Sequence, residues 1–280
     1  MTEQRKMILQ SANYLKGILP KGFKPSIALT TEAEFKIEKL FKVLKTVNCK
    51  DIPPGVIYNQ TANNNKLVFA KSGKRDIILL SGRLHYFDGA TMRQIGHIIY
   101  ALKYLGIKTI ISTEEVANLN PRFKCGELSL IYDHINLMGN NPLIGENDDE
   151  IGLRFPDMSN AYDSEIFQKA VNLFIDEKLK INESVYLGIT GPESETEAEA
   201  RFYREIGSDI LGYSLIPENI TAVHCNLKFL AVGLITRNLI ADKMLEDTSS
   251  EFENIKEKNE HKKNALKLLS IILPKLISKI

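Results

Sequence analysis

The sequence lacks an excess of charge of either sign. Its 280 residues include 36 lysines and arginines and 35 aspartates and glutamates, which leave a formal net charge of +1. Such a balance provides no electrostatic field for holding nucleic acid or a membrane surface. We therefore expect a small molecule as the ligand, and neither nucleic acid nor a membrane as a partner.

Long apolar runs and cysteines are also scarce. No run approaches the roughly 20 apolar residues that a bilayer-spanning helix needs. The cysteines are three in number, Cys49, Cys125 and Cys225, and they lack the spacing of a metal site. The chain starts with polar residues and a short apolar stretch, which is not typical of a secretory leader. These absences predict a protein of the reducing cytoplasm without a bound metal.

Sequence motifs of several large enzyme classes are missing as well, because no internal repeat, Walker loop, GxGxxG or HExxH occurs. What is present is a hydrophobic content of 44%, enough for a sizeable core. Strand-like runs alternate with stretches of helical periodicity along the chain, which is typical of an α/β protein. We predict one domain over residues 1–280. The predicted helices include 2–18, 35–44, 91–105, 164–179 and 263–280, and a loop is predicted over 113–121.

The stretch 191–218, GPESETEAEARFYREIGSDILGYSLIPE, has the layout of a binding site. It is typical of a loop, a helix, a short strand and a second loop, which places polar residues at two strand ends. Glu195 lies at the strand-to-helix junction, and Tyr213 and Ser214 end the following strand. The pattern leaves an alternative open, in which Glu195 is a first-turn carboxylate favoured by the helix dipole and Ser214 is a helix cap.

This segment resembles the trimeric branch of the purine nucleoside phosphorylase and methylthioadenosine phosphorylase family. The shared residues are Gly191-Pro192, Glu195-Thr196, Ala198-Glu199, Arg201, Gly207, Asp209, Gly212, Ser214 and Pro217-Glu218. The resemblance extends from about Lys24 to Asn238. It implies a three-layer α/β/α fold around a twisted mixed β-sheet, assembled as a homotrimer. It also implies phosphorolysis of purine nucleosides to the free base and ribose 1-phosphate, with inorganic phosphate as co-substrate and no other cofactor.

The stretch 81–89, SGRLHYFDG, carries the second part of the resemblance. From spacing alone, Arg83 and His85 point to opposite faces of an extended segment, so a solvated or core pair stays open. The family has GRxHxYEG here. By resemblance, Arg83 contacts phosphate, His85 lies on the ribose side and Phe87 replaces a ribose-facing tyrosine.

The resemblance assigns the remaining site residues. Thr31 and Ser214 hold phosphate together with Arg83, while His85 and Tyr213 bracket the ribose. Glu195 accepts hydrogen bonds from the base, so that His85 and Glu195 are the candidate catalytic residues.

Two further positions depend on family alignment. Arg237 stands where the family has an asparagine or aspartate that reads the five-membered ring of the purine, and Asn238 follows directly. In the polar loop 141–163, Phe155 matches an aromatic residue that the family lends to the neighbouring subunit's site. An ordinary buried phenylalanine is the alternative for Phe155.

Departures from the family pattern cluster at four of the expected phosphate and base contacts: Glu32, Asn63, Glu115 and Arg237. Two carboxylates facing phosphate at about 4 Å would each oppose its binding by roughly 1–4 kcal/mol. Phosphate binding is then weak unless Glu32 and Glu115 turn outward or pair with an arginine. The departures support a second hypothesis, a paralogue that keeps the trimer and a nucleoside or base pocket without phosphorolysis. Whether the chain turns over, and whether it takes 6-oxo or 6-amino purines, stays open at this point.

Overall fold

The computed structural model describes residues 1–55, 65–239 and 251–280. The described strands are β1 (Ile27–Thr31), β2 (Lys42–Asn48), β3 (Lys66–Ser72), β4 (Arg75–Ser81), β5 (Thr109–Asn118), β6 (Leu128–Asn136), β7 (Glu183–Gly188), β8 (Ile210–Gly212) and β9 (Lys228–Asn238). The described helices are α1 (Glu3–Gly17), α2 (Met92–Tyr104), α3 (Ser164–Asp176), α4 (Glu197–Glu205), α5 (Leu215–His224) and α6 (Glu251–Lys279).

The strands form one mixed sheet in the order β2-β3-β4-β1-β5-β8-β7-β6-β9. Strand β5 pairs with β8 and also, in parallel, with β9, so β5, β8, β7, β6 and β9 form a closed ring. Strand β1 runs parallel to both β4 and β5, with Thr31 opposite Ser81 and Thr30 opposite Ser112. The carboxyl ends of these three strands therefore lie at one edge, where α/β sheets place their ligands.

Helices cover both faces of the sheet. Alternate residues of β4 divide between two cores, because side chains of a strand point to opposite faces in turn. Ile78 and Leu80 pack with α1, α2 and α5, while Ile77 and Leu79 pack with α3 and α6. The predicted three-layer α/β/α fold with a mixed sheet is confirmed. None of the helices in the described ranges combines the length and the apolarity that crossing a bilayer requires.

Helices α1, α2 and α3 match their predicted bounds closely. Helix α2 begins at a capping box, in which the Thr91 side chain accepts from the Gln94 amide and the Gln94 side chain accepts from the Thr91 amide. Such reciprocal bonds satisfy amides that the helix leaves unpaired, so a local pattern determines where the helix begins.

The predicted helix over 35–44 is wrong. Two short 3-10 turns, Ala33–Phe35 and Ile37–Leu40, occupy its first part, and strand β2 begins at Lys42. Lys36 has a left-handed φ of 52°, which separates the two turns. Antiparallel pairing with β3 then outweighs the helical spacing of the apolar residues.

The loop predicted over 113–121 is wrong in its first half, because β5 continues to Asn118. Pairing with β9 extends along all of β5, from Thr109 opposite Lys228 to Asn118 opposite Asn238. Glu114 and Glu115 therefore lie on a strand and point to opposite faces of the sheet. Helix α6 also begins 12 residues before the predicted start at 263. Asn63 lies outside the described residues.

Candidate active site

A cleft of about 420 Å³ opens at the carboxyl edge of the sheet. Its walls come from the ends of β5, β8 and β9, the turns after β1 and β4, and the start of α6. The cleft brings together five of the predicted site residues: His85, Phe87, Tyr213, Ser214 and Arg237. A larger open groove of about 870 Å³ lies beside α5 and contains none of the predicted residues.

At one end of the cleft, which we call the base end, Arg237 and Tyr213 line the wall and the Glu195 carboxylate lies buried behind them. The Arg237 guanidinium donates from Nη1 to Glu195 Oε2 at 2.7 Å and from Nη2 to Glu195 Oε1 at 3.0 Å. The Tyr213 hydroxyl donates to Glu195 Oε1 at 2.8 Å and accepts from Arg237 Nη2 at 2.8 Å. Burial raises the pKa of the Glu195 carboxyl, but the bonds and charge of Arg237 outweigh it, so the pKa lies below its usual value.

Glu195 is therefore not a helix-dipole residue. Thr196 caps helix α4, its side chain accepting from the Glu199 amide, and Glu199 completes the capping box. Glu195 lies just outside this box, and its nearly inaccessible carboxylate turns to Arg237 on β9. The alternative of a first-turn carboxylate is wrong.

The middle of the cleft is aromatic. The His85 ring stacks on Phe87 with centroids 4.6 Å apart and an interplanar angle of 17°, and Phe87 meets the Tyr213 ring edge-on at 6.0 Å. His85 Nδ1 lies 2.7 Å from Ser214 Oγ. Ser214 does occupy the N-cap position of α5, as the alternative expected, but its side chain makes no cap bond to the helix and faces His85 instead. These rings and the hydroxyl form a wall against which a flat base or a ribose could pack.

The opposite end, which we call the anion end, centres on Arg83. Its side chain is 3% exposed and does not line the cleft, but lies beside a cavity of about 20 Å³ behind it. Arg83 Nε lies 3.4 Å from Glu32 Oε1 and 3.5 Å from Glu218 Oε1, and Nη2 donates to the Thr113 carbonyl at 2.8 Å. Burial disfavours the charged guanidinium, but Glu218, Glu32 and Glu114 together raise its pKa.

Glu32 connects Arg83 with His85, whose Nε2 lies 3.4 Å from Glu32 Oε2. Burial raises the pKa of Glu32, yet Arg83 and His85 outweigh it and lower the pKa below its usual value. Arg83 and His85 are thus neither solvated nor a simple core pair. They meet across a carboxylate at the point where the resemblance expects phosphate.

Three polar atoms at this end lack a hydrogen-bond partner among the described residues. Thr31 Oγ1, Arg83 Nε and Arg83 Nη1 are all buried, and of these only Nε faces carboxylates, at ion-pair distances. Buried polar atoms without partners are costly and often mark a place for a ligand or water. The anion end therefore has donors for a small polar ligand or a water molecule.

Glu114, which the sequence indicated only as a carboxylate near the expected anion site, is a buried group whose partners the sequence did not identify. Its buried carboxylate accepts from the amides of Tyr213 at 2.8 Å and Ser214 at 3.0 Å, and from the Tyr186 hydroxyl at 2.8 Å. Gly212 makes this approach possible, since a Cβ there would lie 2.8 Å from Glu114 Oε1. Burial is the main cause that raises the pKa of Glu114 above its usual value.

Glu218 is the second such residue. It accepts from Thr30 Oγ1 at 2.7 Å and Ser112 Oγ at 2.9 Å while its other oxygen faces Arg83. For Glu114 a signal was available, because predicting β5 as a strand through residue 114 would have placed this side chain on the cleft side. No local signal connects Glu218 with Arg83, because the two are joined only by the fold.

Glu115 lines the cleft but turns away from Arg83. Its oxygens lie 2.8 Å from Lys258 Nζ and 2.7 Å from Lys262 Nζ, and one of them accepts from Thr236 Oγ1 at 3.0 Å. The expectation that both acids face the phosphate position is therefore corrected, since only Glu32 contacts Arg83. The two lysines belong to the early part of α6, which the sequence did not predict as helix.

The remaining predicted residues lie apart from the cleft. Asn238 accepts from Asn118 Nδ2 at 2.9 Å and does not line the cleft, so Arg237 alone of that pair reaches it. Phe155 is 87% exposed, which rules out a buried phenylalanine. Within the described ranges no group of three or more metal-ligating side chains occurs.

The sequence model of the phosphorylase superfamily matches residues 26–277. A protein named purine nucleoside phosphorylase 1 from Bacillus subtilis (strain 168) is 33% identical over 266 residues, which cover 95% of this chain and 97% of that protein. The chain belongs to the purine nucleoside phosphorylase family.

Solved structures of this family share the fold. Isoform 2 of purine nucleoside phosphorylase from Schistosoma mansoni, in complex with cytosine and ribose-1-phosphate, superposes with a TM-score of 0.86 at 29% identity, covering 98% of this chain and 96% of that one. Purine nucleoside phosphorylase of Schistosoma mansoni in complex with adenosine gives a TM-score of 0.87 at 27% identity, covering 98% and 97%. Family membership therefore extends over nearly the full length.

Proposed function

We propose that this chain cleaves purine nucleosides by phosphorolysis to the free base and ribose 1-phosphate, with inorganic phosphate as co-substrate and no cofactor. The observation that carries the proposal is the cleft at the carboxyl edge of the sheet. It joins a buried carboxylate, Glu195, through an aromatic wall to His85 and Ser214. Relatives with this fold are named purine nucleoside phosphorylases, and one binds adenosine.

The cleft residues divide the chemistry between them. Cleavage of the glycosidic bond passes through an oxocarbenium-like state, which needs a nucleophile on one face and a stabilised leaving base on the other. Glu195 and Tyr213 hold the base, while Phe87 and His85 pack against the ribose. His85 and Ser214 face the nucleophile. Phosphate reaches Arg83 only when Glu32 leaves its contact with that guanidinium.

One observation favours a second candidate, a paralogue that binds a nucleoside or base without phosphorolysis. Carboxylates occupy the donors at the anion end, with Glu32 and Glu218 beside Arg83 and Glu114 on the amides of Tyr213 and Ser214. A phosphate dianion has to compete with these groups. The family comparisons favour the enzyme, and turnover is decided by assay.

Hypoxanthine release from inosine, followed with and without phosphate, tests both candidates. Release that requires phosphate supports phosphorolysis, and release without phosphate indicates a hydrolase. No release, together with measurable base binding by calorimetry, supports the paralogue. Glu195→Ala should abolish base binding or weaken it, whereas Glu193→Ala, which changes an exposed glutamate two residues away, serves as the matched control.

We also propose that the chain is a cytoplasmic homotrimer in which Phe155 reaches the neighbouring subunit's cleft. Its 87% exposure leaves the ring available for such a contact. Light scattering during size exclusion would measure the assembly. Phe155→Ala should lower nucleoside affinity, while Phe202→Ala, at a phenylalanine 52% exposed on α4, should not. A monomer in solution would contradict the proposal.

A further inference from the structure

Glu32 is more accessible from the cleft than the other carboxylates around Arg83. Its side chain lines the cleft and is 13% exposed, against 4% for Glu218, and Glu114 is buried. Its oxygens lie 3.4 Å from Arg83 Nε and 3.4 Å from His85 Nε2. Both contacts are longer than a strong hydrogen bond between charged groups, which measures about 2.7–2.9 Å. An ionised carboxylate has about four acceptor positions, so Glu32 retains capacity for a ligand in the cleft.

The space at the anion end fits water rather than phosphate. Arg83 does not line the cleft, and the cavity beside it measures about 20 Å³. A single water molecule needs roughly 10–15 Å³ of such space, whereas a phosphate ion is several times larger than water. The group that meets the cleft at this end is Glu32, not the guanidinium. While Glu32 stays in this position, water is the nucleophile that can reach the anion end.

A carboxylate at this place supplies part of what nucleoside cleavage needs when phosphate is absent. The oxocarbenium-like state carries positive charge on the ribose, and an anion on the nucleophile's face stabilises that charge. Burial raises the pKa of Glu32, but Arg83 and His85 outweigh burial and keep the carboxylate ionised. Its remaining acceptor positions can take a proton from an attacking water. Glu32 therefore offers the negative charge of a phosphate without its bulk.

We propose that this cleft also hydrolyses purine nucleosides and that Glu32 is the catalytic residue of that reaction, so that its position decides between water and phosphate. The water oxygen bonds to C1′ of the ribose as the bond between C1′ and the purine nitrogen breaks. The bonding pair leaves with the base, which takes a proton from solvent. Glu32 takes a proton from the water and returns it to solvent, so the products are ribose and free base. The inference rests on the proposed binding of a purine nucleoside and adds a second nucleophile.

The test separates the sugar products formed from inosine. Ribose is a reducing sugar and ribose 1-phosphate is not, so a reducing-sugar assay beside hypoxanthine release measures each reaction. Wild-type protein should form ribose without phosphate, and added phosphate should suppress ribose in favour of ribose 1-phosphate, because both nucleophiles need one position.

Glu32→Gln keeps the size of the side chain and removes its charge and its basic oxygen. Ribose formation should fall about hundredfold or more, the usual contribution of a general base, while formation of ribose 1-phosphate should hold or increase. Glu34→Gln is the matched control, because Glu34 also lines the cleft but is 59% exposed and pairs with Lys262. Both rates should stay at wild-type values in this control.

Two results would overturn the inference and leave the proposed function intact. One is wild-type protein that forms ribose 1-phosphate with phosphate but no ribose without it, which decides the question even if Glu32→Gln does not fold. The other is a folded Glu32→Gln variant whose ribose formation is unchanged, or falls equally with that of ribose 1-phosphate. Ribose as the only product in the presence of phosphate would instead overturn phosphorolysis and support the inference. If wild-type protein forms neither sugar, both fail.

Discussion

The two ends of the cleft solve the problem of a buried charge in different ways. At the base end one carboxylate meets one guanidinium, so Glu195 and Arg237 balance and bind through two short bonds. At the anion end Arg83 lies at longer ion-pair distances from two carboxylates, Glu32 and Glu218, and Glu114 also acts on it electrostatically. Within the anion end the pKa directions diverge, because burial raises the pKa of Glu114 while Arg83 lowers that of Glu32, as Arg237 lowers that of Glu195.

The difference shows how each end can accept a ligand. The base end is neutral and partly open, so a base can share its donors without the ion pair being broken. The anion end is closed and carries an excess of acids, so an anion has to displace a carboxylate. Removing one group at a time therefore distinguishes the two ends, and the following changes are ordered by expected effect.

Arg83→Ala should destabilise the protein by about 3–5 kcal/mol, because it leaves buried carboxylates without their partner. Urea denaturation would measure the free energy of unfolding. Arg201→Ala, at a side chain that is 58% exposed and forms an ion pair with Glu197, should stay within about 0.5 kcal/mol of wild type. If both substitutions lower the free energy of unfolding by equally small amounts, Arg83 does not stabilise the anion end.

Glu32→Gly should strengthen phosphate or sulfate binding, by an amount corresponding to about 1–4 kcal/mol, since a carboxylate is removed from Arg83. Glu115→Ala alone should have little effect, because Glu115 already pairs with Lys258 and Lys262. The double variant should behave like Glu32→Gly. Calorimetric titration with phosphate is the measurement, and ordinary wild-type affinity with no gain in either variant would show that these acids do not block the site.

Glu195→Ala should cost about 1.5–3 kcal/mol of purine affinity, because a charged acceptor for a buried donor is lost. The substitution also frees Arg237, which then has only Tyr213 as partner within this group. Base titration by calorimetry, with Glu193→Ala as control, measures the loss. If the purine affinity of Glu195→Ala equals that of wild type, Glu195 does not bind the base, and the comparison of the two ends does not hold.

The smallest expected effect is on the pH dependence of stability. The pKa of Glu114 is raised in the folded protein from an ordinary value of 4.5, so the folded state binds its proton more tightly than the unfolded state. Its contribution to stability is therefore complete below that ordinary value and is lost as pH rises through the folded pKa. Glu195 has a lowered pKa, so its contribution is present above the ordinary value and is lost as pH falls through the folded pKa.

Glu114→Gln mimics the protonated acid and should gain stability relative to wild type as pH increases above 4.5. Urea unfolding across pH 4–8 would compare it with wild type and with Glu195→Gln, for which the opposite trend is expected. Parallel pH curves for all three proteins would contradict the opposite pKa shifts of Glu114 and Glu195.

Much of the architecture could be predicted from local patterns. The spacing of apolar residues predicted α2 and α4. The capping boxes found at Thr91 and Thr196 show why local patterns suffice there, because their bonds connect residues three apart. The same reasoning failed for β2, whose strand depends on pairing with β3 rather than on its own periodicity. Motif similarity supplied the family and the three-layer fold, and the prediction of a single domain stays a prediction.

The sequence by itself determined which residues are available to the cleft. These include Glu195, Ser214 and Arg83, which match the family pattern, and Glu32 and Arg237, which depart from it. Only the tertiary structure decided how these groups pair. Arg237 reaches Glu195 across 42 residues, and Glu114 reaches the Ser214 amide across 100. Such partners are set by sheet register and strand order, which bring distant segments to one edge, and no pattern within either segment carries that information.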